Sequence, residues 1–284
     1  MLGFSERRFW VKNGLFSGVI VLVVLAIANP QRAIRVQPPA QTSADVLIAL
    51  DISNSMLAKD VQPSRLEQAK LFIQNLVKAL DGERIGLLFF AGEAYPQMPL
   101  STDYEALLLF VRNANPNFIT DQGTDLGAAI GLANRMFESV EPAGHALILI
   151  TDGENHEEKA LQRAQEAQAD GMVIHTVGIG TAAGAMIPGD AGGFQRDFTG
   201  QVIRTSMNEP FIRELAKAGG GLSFNGNQGA SAIDALKREV GRLQKSTVEA
   251  QVYTAYVSYF QWLLVAALLL LIGEQLLWWR KKKI

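Results

Sequence analysis

A chain of 284 residues, 48% of them hydrophobic, is long enough for one large domain or two small ones. With 26 basic against 28 acidic residues and a net charge of −2, it has no surplus of basic surface for nucleic acid. The absence of cysteine excludes disulfides, thiolate catalysis and iron–sulfur clusters, and three histidines (His145, His156, His175) are too few for a histidine-rich metal site.

The first element in chain order is the apolar run Gly14 to Ala28, preceded by Arg7, Arg8 and Lys12. Residues 1–29 read as a membrane segment, either an anchor or a signal, since Ala26-Ile27-Ala28 is similar to a signal-peptidase site. A proline-bearing linker, 30–44, leads to the apolar strand Asp45 to Leu50. Leu66, Ala69, Ile73, Leu76, Val77 and Leu80 recur at helical spacing, and Ser64 with Glu67 offers a capping box for that helix. Arg84 to Phe90 reads as a second buried strand. Thr102 with Glu105 offers a cap for a helix running to about Asn113. Leu126 to Phe137 reads as a helix, His145 to Ile150 as a strand, Glu157 to Ala169 as a helix and Val173 to Ile179 as a strand.

The pattern breaks after Gly180. Residues 181–206 are glycine-rich, and Phe194 to Ile203 reads as an exposed hairpin around Thr199-Gly200. A helix from Asn208 to Ala218, a short strand from Gly221 to Phe224 and a helix from Ser231 to Leu243 complete the middle of the chain. Strands alternating with helices imply an α/β domain over 45–245, doubly wound around a mostly parallel sheet of about six strands. A linker, 246–255, precedes Tyr256 to Trp279, whose run Trp262 to Ile272 lies between aromatic girdles and reads as a transmembrane helix ending in the basic tail 280–284. Basic residues on the outer side of both apolar segments place the tails in the cytoplasm and the α/β domain outside it. Lys237, Arg238, Arg242 and Lys245 count against that orientation.

Asp51-Ile52-Ser53-Asn54-Ser55 directly follows the first buried strand. A carboxylate and two hydroxyls at alternate positions can turn inward around a small cation where a strand opens into a loop. These hard oxygen donors suit Mg²⁺ or Mn²⁺ rather than zinc. Asp152 ends another strand and Thr124 lies in a loop before a helix, so both reach the edge of an α/β sheet where ligands bind. The candidate metal ligands are therefore Asp51, Ser53, Ser55, Thr124 and Asp152. They bring so little charge that the ion would keep waters or recruit an outside oxygen.

Asp-x-Ser-x-Ser, a threonine on a middle loop and Thr151-Asp152-Gly153 together resemble the metal-ion-dependent adhesion site of von Willebrand factor A domains. The resemblance covers nearly all of 45–245. It implies Asp51, Ser53, Ser55 and Thr124 as ligands, Asp152 acting through water, and an open coordination position filled by an Asp or Glu of a partner protein. Ala28-Asn29-Pro30-Gln31, Asp51-Ile52-Ser53-Asn54-Ser55-Met56, Pro63-Ser64-Arg65-Leu66, Thr120-Asp121-Gln122-Gly123-Thr124 and Thr151-Asp152-Gly153-Glu154-Asn155-His156 further resemble the Bat-type (aerotolerance-related) membrane proteins. That resemblance implies a bacterial inner-membrane location. It also implies as partners other Bat-type A-domain or tetratricopeptide proteins and a MoxR-type AAA+ ATPase. Many members carry a further helix before the one matching Gly14 to Ala28, which this sequence does not show.

Other readings compete. A haloacid-dehalogenase hydrolase needs a second acid two residues past Asp51, where Ser53 stands, so an enzyme is not expected. Gly178-Ile179-Gly180 lacks the helix a dinucleotide loop requires, and there is no Walker lysine loop. A membrane scaffold with a passive A domain remains the structural alternative. His175 reads as a core residue, and His156 as an exposed helix start or a neighbour of the metal ligands. Asp125 reads as a helix cap, and Met56 and Leu57 as either a partner contact or packing beneath the loop.

Overall fold

The computed structural model describes residues 6–36, 41–138, 144–154, 158–189, 192–243, 246–248 and 253–279. His156, the expected helix start at Glu157 and the basic tail 280–284 lie outside the described residues. Two compact units emerge, one formed by 41–248 and the other by the two ends of the chain.

The central unit contains strands β1 (Asp45–Asp51), β2 (Arg84–Phe90), β3 (Ala94–Ser101), β4 (His145–Thr151), β5 (Met172–Gly178) and β6 (Gly220–Asn225). Its helices are α1 (Arg65–Ala79), α2 (Tyr104–Asn113), α3 (Leu126–Glu138), α4 (Glu158–Ala169), α5 (Glu209–Ala218) and α6 (Ala230–Val240). The strands form one six-stranded sheet in the order β6-β5-β4-β1-β2-β3, parallel except for β3. The doubly wound, mostly parallel α/β sheet expected from sequence is present.

All residues of β1 and β4 are buried, because helices cover both faces of the sheet. The period of two sorts β1 between two cores. Val46, Ile48 and Leu50 meet Leu66, Ile73 and Leu76 of α1 with Leu236 of α6, whereas Leu47 and Ala49 meet Ile130 and Ala133 of α3 with Ala164 of α4. Each buried valine, leucine or isoleucine among them contributes roughly 2 kcal/mol of transfer free energy.

The sequence reading misses β3, whose Pro96 and Pro99 argue against a strand. β3 is an edge strand pairing antiparallel with β2 alone, and there a residue without an N–H is tolerated. The cap of α2 is also corrected. Asp103 rather than Thr102 accepts from the helix, through Ala106 N at 3.0 Å. Ser64 does cap α1, accepting from Glu67 N at 3.2 Å, while the Glu67 carboxylate bonds Lys70 at 2.6 Å. Asp125 caps α3 through Ala128 N at 2.7 Å. The hairpin in 181–206 is present, with Arg196 opposite Val202 and Phe194 and Phe198 exposed.

The terminal unit contains the helix Glu6–Ile27 and the helix Phe260–Trp279. Strands Gln31–Val36 and Tyr253–Ser258 pair antiparallel between them, where the sequence reading has linker and the start of a helix. Val19, Ala26 and Ala267 are buried, and the Gly18 position lies against Leu270, so small residues let the two helices approach. Among the described residues no helix is long and apolar enough to cross a membrane. The run Trp262 to Ile272 rises only about 16 Å at 1.5 Å per residue before Gly273, Glu274 and Gln275 interrupt it.

Candidate metal centre

Strand order reverses between β1 and β4: the chain leaves β1 toward β2 on one side and later returns to β4 on the other. In such sheets the carboxyl ends of the two flanking strands open a crevice. Asp51 is the last residue of β1 and Thr151 the last of β4, so the sequence puts oxygen-bearing side chains on both sides of that crevice.

Asp51 is fully buried. Its Oδ1 accepts from Ser53 N at 2.9 Å and its Oδ2 from the Thr151 hydroxyl at 2.7 Å. Ile52 N continues the sheet by donating to Phe90 O at 2.9 Å, after which Ser53 opens a short 3₁₀ turn, Asn54–Leu57. That turn brings the Ser53 and Ser55 hydroxyl oxygens to 3.0 Å of each other. Met56 is fully buried beneath the turn, packed in the core with Leu50 and Ile52, so it is no partner contact.

Thr124 lies on the loop before α3 and is nearly buried. The loop is fixed to the end of β2, where Asp125 N donates to Ala91 O at 2.7 Å and Gly92 N to Asp121 O at 3.1 Å. Thr124 is thus carried to the edge where Asp51 sits. Asp152 is fully buried as well, but its carboxylate is engaged: Oδ2 accepts from Arg65 Nη1 at 2.7 Å and Oδ1 from Glu154 N at 3.1 Å. Asp51, Ser53 and Ser55 are therefore joined directly, Thr124 stands on the neighbouring loop, and Asp152 is drawn toward Arg65.

Burial raises the Asp51 pKa to about 7, and the nearby charge of Asp152 adds to the rise, against hydrogen bonds from Ser53 and Thr151. Among the described residues no basic side chain pairs with Asp51. A buried carboxylate without a cationic partner, facing hydroxyl oxygens, is the donor chemistry a hard divalent cation requires, so the residues fit such an ion.

Several residues here escape sequence reasoning. Thr151 was legible only as part of a motif, yet it bonds Asp51 and accepts from Gly153 N at 3.0 Å. Arg65 and Glu154 enter the sequence reading only as letters of the Bat-type motifs, with no role, and Asp60 and Thr205 are missed altogether. The signal for Arg65 was its place on the apolar stripe of α1, in register with Ala69 and Ile73, in a first turn where positive charge is disfavoured. Gly180 is not part of a phosphate loop. With φ +128° it stands where a Cβ would come within 2.8 Å of Arg65 Nε. His175 is a core residue whose Nδ1 accepts from Leu222 N at 3.2 Å, and burial pushes its pKa down.

Residues 46–155 match the family model described as the von Willebrand factor type A domain. An aerotolerance-related membrane protein from Bacteroides fragilis is 43% identical, over 70% of this chain and 100% of the solved one, with a TM-score of 0.68. The protein BatB from Bacteroides thetaiotaomicron is 44% identical over 70% of this chain and 98% of its own, with a TM-score of 0.66. The chain belongs to the Bat-type family of von Willebrand factor A domain proteins. The A-domain fold reaches further: proximal thread matrix protein 1 of the mussel byssus is 17% identical over 76% of this chain and 49% of its own, with a TM-score of 0.52. In that structure the adhesion-site motif is occupied by zinc. A Bat-type A domain thus places Asp51 and its hydroxyl neighbours at the reversal point of the sheet, at the edge these folds use for ligands.

Proposed function

We propose that this Bat-type protein is a membrane-anchored interaction module that captures a partner protein through a divalent cation. The observation that carries this reading is the Asp51 carboxylate, fully buried and, among the described residues, bonded only by neutral donors, beside two serine hydroxyls 3.0 Å apart. Asp51, Ser53, Ser55 and Thr124 would hold the ion, with Asp152 acting through water. When bound, the cation supplies a positive centre with an open position for an Asp or Glu carboxylate. Mg²⁺ or Mn²⁺ is the ion the donor set favours, although the zinc in the byssus protein means that donor hardness does not exclude zinc from such a motif.

The chain's own part is to pre-order the ligands. Ser53 N and the Thr151 hydroxyl fix the two oxygens of Asp51, and the buried Met56 locks the turn that carries both serines. Membrane anchoring is supported by the paired terminal helices, which expose Phe16, Val21, Val24, Trp262, Leu268 and Leu269 away from their small-residue contact. It is also supported by the membrane description of the Bacteroides fragilis relative. If the terminal segments insert with their basic flanks, Arg7, Arg8 and Lys12 at one end and Arg280 to Lys283 at the other, on the cytoplasmic side, the A domain would lie outside the cytoplasm. Family resemblance points to other A-domain or tetratricopeptide proteins as partners, with a MoxR-type ATPase behind them, in a process connected with aerotolerance.

The test is calorimetric titration of the detergent-solubilised full chain with MnCl₂ and MgCl₂, beside the Asp51→Asn variant. Uptake of one ion per chain by the wild type and none by the variant is expected. Equal behaviour of the two proteins would remove the metal role.

A further inference from the structure

Arg65 is fully buried, and the metal reading assigns it nothing. A guanidinium is taken out of water only where its donors are matched by acceptors. Arg65 Nε and Nη2 form a fork on Asp60, to Oδ1 at 2.8 Å and Oδ2 at 2.9 Å. Nη1 donates to Asp152 Oδ2 at 2.7 Å and to the Thr205 hydroxyl at 2.8 Å, and Nη2 also reaches Thr205 O at 3.3 Å. Asp60 is gripped from its other side by Thr181, through N at 2.8 Å and Oγ1 at 3.0 Å. The Thr205 hydroxyl in turn donates to Glu154 Oε2 at 2.6 Å. Arg65 thus ties the end of β4 to both ends of the segment 181–206.

The consequence for the metal centre is electrostatic. Asp51 and Asp152 are the two carboxylates nearest the crevice, and one of them is claimed by a fixed positive charge. Two free carboxylates would satisfy a divalent cation, whereas one leaves it with positive charge to share. We infer that Arg65 is a positioning residue that holds the Asp152 carboxylate away from the cation and trims the site's negative charge, so that the cation keeps its demand for a partner's carboxylate. The inference rests on the metal reading of the proposed function and adds the residue that tunes it.

The charge ledger yields a cycle of variants. Counting Arg65, Asp60 and Asp152, the wild type carries one net negative charge, Arg65→Met two, Asp152→Asn none, and the double variant one again. Manganese titration of the full chain in detergent is expected to give binding about tenfold tighter for Arg65→Met and about tenfold weaker for Asp152→Asn. The double variant is expected to return to within about twofold of the wild type. Binding of a short glutamate-containing peptide to the manganese-loaded chain is expected to follow the opposite order, weakest for Arg65→Met.

A structural role alone would weaken manganese binding in Arg65→Met and leave the double variant weak, and either result overturns the inference. If Arg65→Met does not fold by circular dichroism, the comparison of Asp152→Asn with the double variant decides alone. Restoration supports the tuning role, and a double variant as weak as Asp152→Asn makes Asp152 a plain ligand and ends it. No manganese uptake by the wild type would fell the metal reading and this inference together. Uptake without the reversal fells only the role of Arg65.

Discussion

Asp45 and Asp51 close the two ends of one fully buried strand, and among the described residues only Asp45 has a cationic partner. Arg84 forks onto Asp45, Nε to Oδ1 at 2.7 Å and Nη2 to Oδ2 at 2.6 Å, whereas among the described residues Asp51 is met by neutral donors, the amide and side chain of Ser53 and the Thr151 hydroxyl. Two acids with the same burial therefore divide their roles by what faces them. The Asp45 charge at the amino edge is neutralised by Arg84, and the Asp51 charge at the carboxyl edge has no cation among the described residues.

The first expectation concerns Asp51→Asn. The amide keeps an acceptor for Ser53 N and turns a donor toward the Thr151 hydroxyl, which then accepts where it donated before, so the shape survives while the buried charge is lost. In metal-free buffer at pH 8 the variant's urea midpoint is expected to equal or exceed that of the wild type. With saturating Mn²⁺ the wild type gains and the variant does not. A variant less stable than the wild type in chelator would mean that Asp51 is paired by a charge already present in the chain.

The pH dependence follows from the same carboxylate. Its pKa is raised from 3.8 to about 7 by burial and by Asp152. Between those values the unfolded chain has released the proton and the folded one still holds it, so raising the pH favours unfolding. The metal-free protein is therefore expected to lose stability as pH rises from about 4 to about 7 and then to level off. Cation affinity is expected to fall as pH drops below about 7, by about tenfold per unit, since ion and proton compete for one oxygen pair. Denaturation curves and manganese titrations across that range check both slopes.

Arg84→Met tests the opposite edge. Removing the guanidinium strands a fully buried Asp45 carboxylate, which is expected to cost about 3 kcal/mol in urea denaturation. Cation affinity is expected to stay at the wild-type value, because Asp45 and Asp51 sit at opposite ends of β1. A change in affinity as large as the change in stability would show that the two edges are coupled through the strand.

How far such features are legible in a sequence depends on the range of the interactions that make them. β1, β2, β4 and β5 are buried on both faces, so their apolar runs announce them. β3 packs at an edge, and Pro96 and Pro99 disguise it. The Asp51–Ser55 turn is local, so its spacing alone foretells the hydroxyl pair. The Arg65 network joins residues 5, 87 and 140 positions apart in the chain, and no periodicity records such a closure. The one local trace of it is an arginine at a position of the helical stripe where an apolar residue is due.

Gly180→Ala tests that closure from its neighbour. The residue adopts φ +128°, and an added methyl would lie 2.8 Å from Arg65 Nε, so both the backbone and the ion pair must give. A loss of about 2–3 kcal/mol is expected, with manganese affinity shifted toward that of Arg65→Met. Gly200→Ala is the control. Its φ is +83° but nothing lies within 4 Å of the added carbon, so only the backbone cost of about 1 kcal/mol is expected, with no change in affinity.

Membrane attachment is tested on the terminal helices. Leu268 and Leu269 are 58% and 64% exposed on the helix Phe260–Trp279, while Ala267 beside them is buried. Replacing both leucines by glutamate therefore leaves the helix contact intact and changes only the outward surface. A buried acid costs about 2–3 kcal/mol in hydrocarbon, so two of them are expected to lower membrane partitioning by at least a hundredfold. In flotation with phospholipid vesicles the wild-type chain is expected in the floating fraction and the double variant at the bottom, with manganese uptake the same in both. A variant that floats like the wild type would show that the outward leucines do not face lipid, leaving the family's membrane association to other parts of the chain.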